Sequence, residues 1–130
     1  MRSIILLILT LASISLFAAD EEQHATIRNV DGQYAINYYN FNEDVALHFT
    51  NANLQGSGYT WVALVKAALT TENAALLSDI EFAPEGGAFV AYSNSEIAAN
   101  KVKSVIDKLS SDTSYREKCI KIATAGGYIE

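Results

Sequence analysis

The residues best spaced for chemistry in this chain are carboxylates. Glu43 and Asp44 are adjacent at a polar turn. Asp79 and Glu81 lie two apart, flanking Ile80, in a strand-like run, and Glu85 follows at a Pro-Gly turn. Alternation puts Asp79 and Glu81 on the polar face, opposite Ile80 and Phe82. Two acids on one face can share proton-transfer work if they are buried. On a surface they meet water or a basic partner, and the sequence favours that reading.

The remaining reactive residue types are sparse. Neither His24 nor His48 has another His or a Cys at zinc-ligand spacing, so no metal is expected. The single cysteine, Cys119, cannot form an internal disulfide. It lies at helical spacing from Tyr115 and Ile122, with no activating His nearby in sequence, which reads as a buried small hydrophobe. Ser57 sits between Gly56 and Gly58, but the G-x-S-x-G nucleophile pattern is absent and the glycines are too few for a phosphate loop. No cofactor is implied. Tyr59 and Trp61, in a Gly-bounded stretch near a helix start, are candidate aromatic anchors for a protein partner.

These residues must be positioned by an alternating set of hairpins and helices. His24 to Val30 reads as a strand that ends at Asp31-Gly32, a two-residue hairpin signal. Gln33 to Asn40 reads as its partner, with Tyr34, Ile36 and Tyr38 on one face. Val45 to Thr50 alternates again (Val45, Leu47 and Phe49 against Ala46, His48 and Thr50) and is expected to be a third strand.

After the loop Asn51 to Gly58, Thr60 is expected to cap a helix whose apolar stripe is Trp61, Leu64, Val65, Ala68 and Leu69. Ala74 to Leu77 makes a short helical turn. Asp79 to Ala83 and Ala88 to Ser93 form a second hairpin around Pro84-Glu85-Gly86-Gly87. Ser93 and Glu96 fit a capping box before a helix with Ala98, Val102, Val105, Ile106 and Leu109 on one face. A last helix, Thr113 to Ala123, ends at Gly126-Gly127. The expected order is β-β-β-α-β-β-α-α. That makes an α+β domain with a mainly antiparallel sheet of about five strands and helices packed on one face.

The N-terminus has its own pattern. One Arg precedes an apolar run from Ile4 to Phe17, followed by Ala18-Ala19 and three acids. This reads as a secretory signal peptide over residues 1–19, the run being shorter than the roughly 20 residues a spanning helix needs. A single domain over residues 20–130 remains, expected to be periplasmic or secreted and free of the membrane once the signal is removed.

The chain has a formal net charge of −6. The charge is uneven: between Asp20 and Glu96 the only bases are Arg28 and Lys66. Such a field disfavours nucleic acid and favours a basic protein partner. Nothing in the sequence speaks to oligomeric state.

The segment from Gly56 to Ser93 carries a resemblance. Gly56, Gly58, Tyr59 and Trp61, then Ile80 and Phe82, then Pro84, Glu85 and Gly87, then Ala91, Tyr92 and Ser93 make an ordered pattern. The pattern resembles the immunity protein 51 family of bacterial polymorphic toxin systems. It departs where that family commonly places an acid after the Trp, since this chain has Val62. The resemblance implies a non-enzymatic protein that binds and neutralises a cognate toxin. The expected contacts are Glu43, Asp44, Tyr59, Trp61, Asp79, Glu81 and Glu85, meeting a basic toxin surface. The alternative is a small exported enzyme or ligand-binding module that uses a carboxylate pair.

Overall fold

Asp31 and Gly32 both adopt positive φ, 54° and 86°, the backbone of a primed two-residue turn. They join β1 (Thr26–Val30) to β2 (Gln33–Tyr38) with Val30 opposite Gln33. The protein is described by a computed structural model that covers residues 24–39 and 42–129. The expected signal peptide lies outside those residues.

The third expected strand is a helix, α1 (Glu43–Asn51). Two sequence signals compete there. Val45, Leu47 and Phe49 alternate, but Val45 and Phe49 also stand four apart, on one face of a helix. The helix wins because only that pair is buried, each about 1% exposed, while Leu47 is 60% exposed. Asn42 caps the helix by accepting from the Asp44 N–H at 2.8 Å, and Glu43 and Asp44 complement the positive end of its dipole. The sheet therefore has four strands rather than about five.

α2 (Gly58–Glu72) follows, then a 3-10 helix (Ala74–Asp79), β3 (Ile80–Phe82), β4 (Phe89–Ser93), α3 (Glu96–Ser111) and α4 (Thr113–Ala125). The sheet order is β1-β2-β4-β3 and every pairing is antiparallel. Ile36, Tyr38, Phe89 and Ala91 point to the helices and are buried. The intervening Asn37, Val90 and Tyr92 face the other way and are half-exposed. One layer of helices on one sheet face is the α+β arrangement the sequence predicts.

α2 is the centre of the helical layer. The predicted stripe of Trp61, Leu64, Val65, Ala68 and Leu69 is buried, and so are Val62, Ala63 and Ala67 on the helix's other sides. A helix buried nearly all round is a core element rather than a surface one. It packs against α3, α4 and β4. Trp61 is fully buried, meeting Tyr38 edge-on at 4.8 Å and Phe49 at 5.5 Å between ring centroids.

Two capping expectations shift by a few residues. Ser95, not Ser93, caps α3, accepting from the Ala98 N–H at 3.1 Å. The pairing of Tyr34 and Ile80 with Ser93 draws that residue into the sheet as the last position of β4. There its hydroxyl donates to the Asp79 carbonyl at 2.7 Å and accepts from the Ser95 N–H at 3.0 Å. Ser57, not Thr60, occupies the cap position of α2. Thr60 lies inside the first turn, where its hydroxyl reaches back to accept from the Gly56 N–H at 3.1 Å.

Candidate functional site

The site begins at a contact between two backbones. The Gly58 N–H donates to the Gly86 carbonyl at 3.3 Å. A Cβ at position 58 would lie 1.9 Å from the Ala88 carbonyl oxygen and 2.2 Å from that of Glu85. Only glycine permits this approach. Glu85 and Ala88 in turn exchange backbone hydrogen bonds across the turn, at 3.0 and 3.4 Å. The start of α2 and the Pro84–Gly87 turn, some 30 positions apart in the chain, are one unit.

That unit opens onto a groove of about 560 Å³, within the size of a ligand or side-chain pocket. Tyr59, Val62, Ala63 and Lys66 of α2 form one wall. Phe82 and Pro84 form the second, and Gly127, Tyr128 and Ile129 form the third, with Gln55 and Thr60 at one end. Tyr59 is 58% exposed and Tyr128 is 37% exposed. The Lys66 ammonium lies over the Phe82 ring, 5.2 Å from its centroid, a cation–π contact. The Tyr128 hydroxyl and that of Thr70 share a hydrogen bond at 3.2 Å, which ties the tail to α2.

The seven residues singled out from the sequence divide by position. Tyr59 is at the surface in the groove, and the Gly58 contact brings it to the turn that carries exposed Glu85. Trp61, two residues on, points the opposite way into the core. The sequence cast it as an aromatic anchor for a partner; its side chain is fully buried and packs against Tyr38 and Phe49. Its ring supports the wall that presents Tyr59.

Asp79 and Glu81 are both exposed and line a shallow recess together with Tyr92, which sits directly opposite Glu81 in the sheet. Asp79 belongs to the end of the 3-10 helix rather than to the strand, so the pair does not share one strand face as alternation suggested.

Glu43 and Asp44 are exposed on the first turn of α1. Asp44 borders a separate recess with Asp107, Ser110, Ser111 and Arg116. At its floor the Arg116 guanidinium is buried, donating to the Leu109 carbonyl at 2.7 Å and to His48 Nδ1 at 2.8 Å. Burial lowers its pKa, and the charges of Asp112, Asp44 and Glu117 oppose that effect. His48 thus works as a hydrogen-bond acceptor that fastens α1 to α4.

Cys119 is buried, as its spacing suggests. Burial and the nearby Glu72 charge push its thiol upward, away from the thiolate a nucleophile needs. Among the described residues no group of three or more His, Cys, Asp and Glu side chains is placed to hold a metal ion. Nor is any helix among them long and apolar enough to cross a membrane.

Sequence reasoning missed Lys66, Phe82 and the Tyr128 tail as parts of one groove. The available signal was Lys66 itself, one of two bases in a long acidic stretch. The tail carries no such mark.

Comparison with known proteins yields one match. The family model for immunity protein 51 matches residues 26–125. That span begins at β1 and ends at the last residue of α4, so it takes in every helix and strand described. No curated protein and no solved structure matches the chain significantly.

Proposed function

The chain belongs to the immunity protein 51 family, and from that premise we propose that it is an exported inhibitor that neutralises one cognate toxin by stoichiometric binding. It acts in the periplasm or outside the cell, where the N-terminal apolar run would direct it. It blocks by occupying a surface of the toxin, not by turnover.

The observation that carries the contact face is the Gly58–turn junction. It presents an exposed aromatic, Tyr59, and an exposed acid, Glu85, on two backbone segments joined by the Gly58–Gly86 hydrogen bond. An aromatic anchor rimmed by charge is the composition of a protein-binding hot spot. Asp79 and Glu81 form a separate acidic point beside Tyr92, on the sheet face away from the groove, and Glu43 and Asp44 add another on α1. The acids favour a toxin with a basic surface and speed the encounter with it.

Co-expression tests the reading. A candidate toxin, sought in the open reading frames that flank the one for this chain, is produced in a susceptible host, with and without the immunity protein carrying its N-terminal signal. Rescue of growth, and a one-to-one complex by light scattering, are expected. Continued killing with full expression of the immunity protein overturns the proposal. Rescue by a signal-less form alone would place the inhibitor in the cytoplasm instead.

A further inference from the structure

The groove beneath Tyr59 differs in polarity from the surface around it. The chain is net negative, and Arg28 and Lys66 are the only bases between Asp20 and Glu96. One of the two, Lys66, lines this groove. Among the described residues the groove's lining holds no acid, and no carboxylate lies within ion-pair distance of Lys66. Its ammonium rests instead on the Phe82 ring. A half-buried ammonium that rests on an aromatic ring, with no acid in its groove, gains from an incoming anion. The neighbouring walls, Val62, Ala63 and Pro84, suit an apolar or aromatic side chain.

We propose that this groove receives an acidic side chain of the toxin, delivered next to an apolar residue, with Lys66 pairing the carboxylate. The proposal rests on the immunity reading and refines it. The toxin's mating surface would be basic at the rim and carry one acid at its centre. That inverted charge acts as a selectivity device: a uniformly basic partner meets Lys66 unpaired and is repelled.

Two arms test it, and the first needs no toxin. N-acetyl-Phe-Asp-amide, N-acetyl-Phe-Asn-amide and N-acetyl-Phe-Lys-amide are titrated into the isotope-labelled protein, with amide shifts read along α2 and residues 127–129. The aspartyl peptide should bind about fivefold tighter than the asparaginyl one, the scale of one partly screened ion pair, and the lysyl peptide weakest. Lys66→Arg should keep that preference, and Lys66→Met should abolish it while leaving the thermal midpoint near wild type. Equal binding of the three peptides, or shifts confined to other surfaces, overturns the proposal.

The second arm measures affinity for the toxin that the co-expression test identifies. Lys66→Glu should weaken it about tenfold or more, since it sets like charges against each other. Toxin neutralised equally well by wild type and Lys66→Glu rejects the groove but keeps the immunity reading. A wild type that neutralises nothing rejects the immunity reading, and the peptide arm then decides the groove alone. Glu130→Gln addresses that side chain, next in sequence to Ile129 of the groove, as a rival occupant. Tighter aspartyl-peptide binding in that variant would show that the Glu130 carboxylate competes for Lys66 and would overturn the assignment to a partner.

Discussion

At the scale of single residues, glycine and aromatic positions divide the work between scaffold and surface. Gly58 and Gly86 lie within one hydrogen bond of each other, yet their tolerances differ. A methyl group at 58 would strike two carbonyl oxygens, whereas a Cβ at 86 would meet nothing within 4 Å. Gly58→Ala is expected to cost about 1–3 kcal/mol, the range of overpacking, and Gly86→Ala close to nothing. Urea unfolding of the two variants checks this, and equal midpoints would show the contact to be dispensable.

Tyr59 and Trp61 form a second contrast. Tyr59→Ala should leave stability within about 0.5 kcal/mol while costing about 2 kcal/mol or more in toxin affinity, as a hot-spot residue does. Trp61→Ala should cost about 3–5 kcal/mol of stability. Calorimetric titration beside thermal melts separates the two effects. An unchanged toxin affinity for Tyr59→Ala would remove it from the site.

At the scale of elements, α1 is the place where local pattern misled. Leu47 looked like the centre of an alternating strand and is an exposed helical position. In a helix, Ala is the better residue there, so Leu47→Ala should be neutral or slightly stabilising, within about 0.5 kcal/mol. In a half-buried strand the same change would destabilise. Chemical denaturation distinguishes these outcomes.

The junction of α2, α3 and α4 is held by Glu72. The Lys101 ammonium donates to one carboxylate oxygen at 2.7 Å and the Tyr115 hydroxyl donates to the other. Burial alone would raise the Glu72 carboxyl. The two hydrogen bonds and the charges of Lys101 and Lys108 outweigh it and hold the group below its ordinary value of 4.5. A carboxyl depressed on folding stabilises above its unfolded value, and that contribution is lost as pH falls through the folded one. Melting temperatures should therefore drop below about pH 4.5, and Glu72→Gln should flatten that drop. An identical pH slope in the variant would mean that other carboxylates cause it.

The two hairpins were legible because their turns are local chemistry. Asp31-Gly32 and Pro84-Glu85-Gly86-Gly87 specify reversal through the residues themselves. The helix caps were legible only to within two or three positions. Ser93 and Ser95 are both competent cap residues, and the sheet decides between them by claiming Ser93.

At the scale of the whole molecule, the net charge of −6 bears on the proposed partner. Association with a basic toxin should weaken as ionic strength rises, mostly through a slower on-rate. Reversing Glu81 and Glu85 to Lys should weaken binding and reduce that salt dependence without unfolding, because both side chains are exposed. Stopped-flow association from low to high salt reads both effects. A salt-independent on-rate for the wild type would exclude electrostatic steering.

The sequence by itself determined the class of fold, both hairpin turns, the three longer helices and the family resemblance. Each rests on local periodicity, on turn residues, or on an ordered motif that survives without knowledge of contacts. Tertiary structure decided the rest. It turned Val45–Thr50 into helix, because only a helix buries Val45 and Phe49 together and leaves Leu47 outside. It placed Trp61 in the core and Tyr59 at the surface, a difference of two positions that helical rotation sets but only packing orients. It also joined Gly58 to the Pro84–Gly87 turn and closed the groove around Lys66 with the C-terminal tail. Those contacts link residues far apart in the chain, and no local pattern records them.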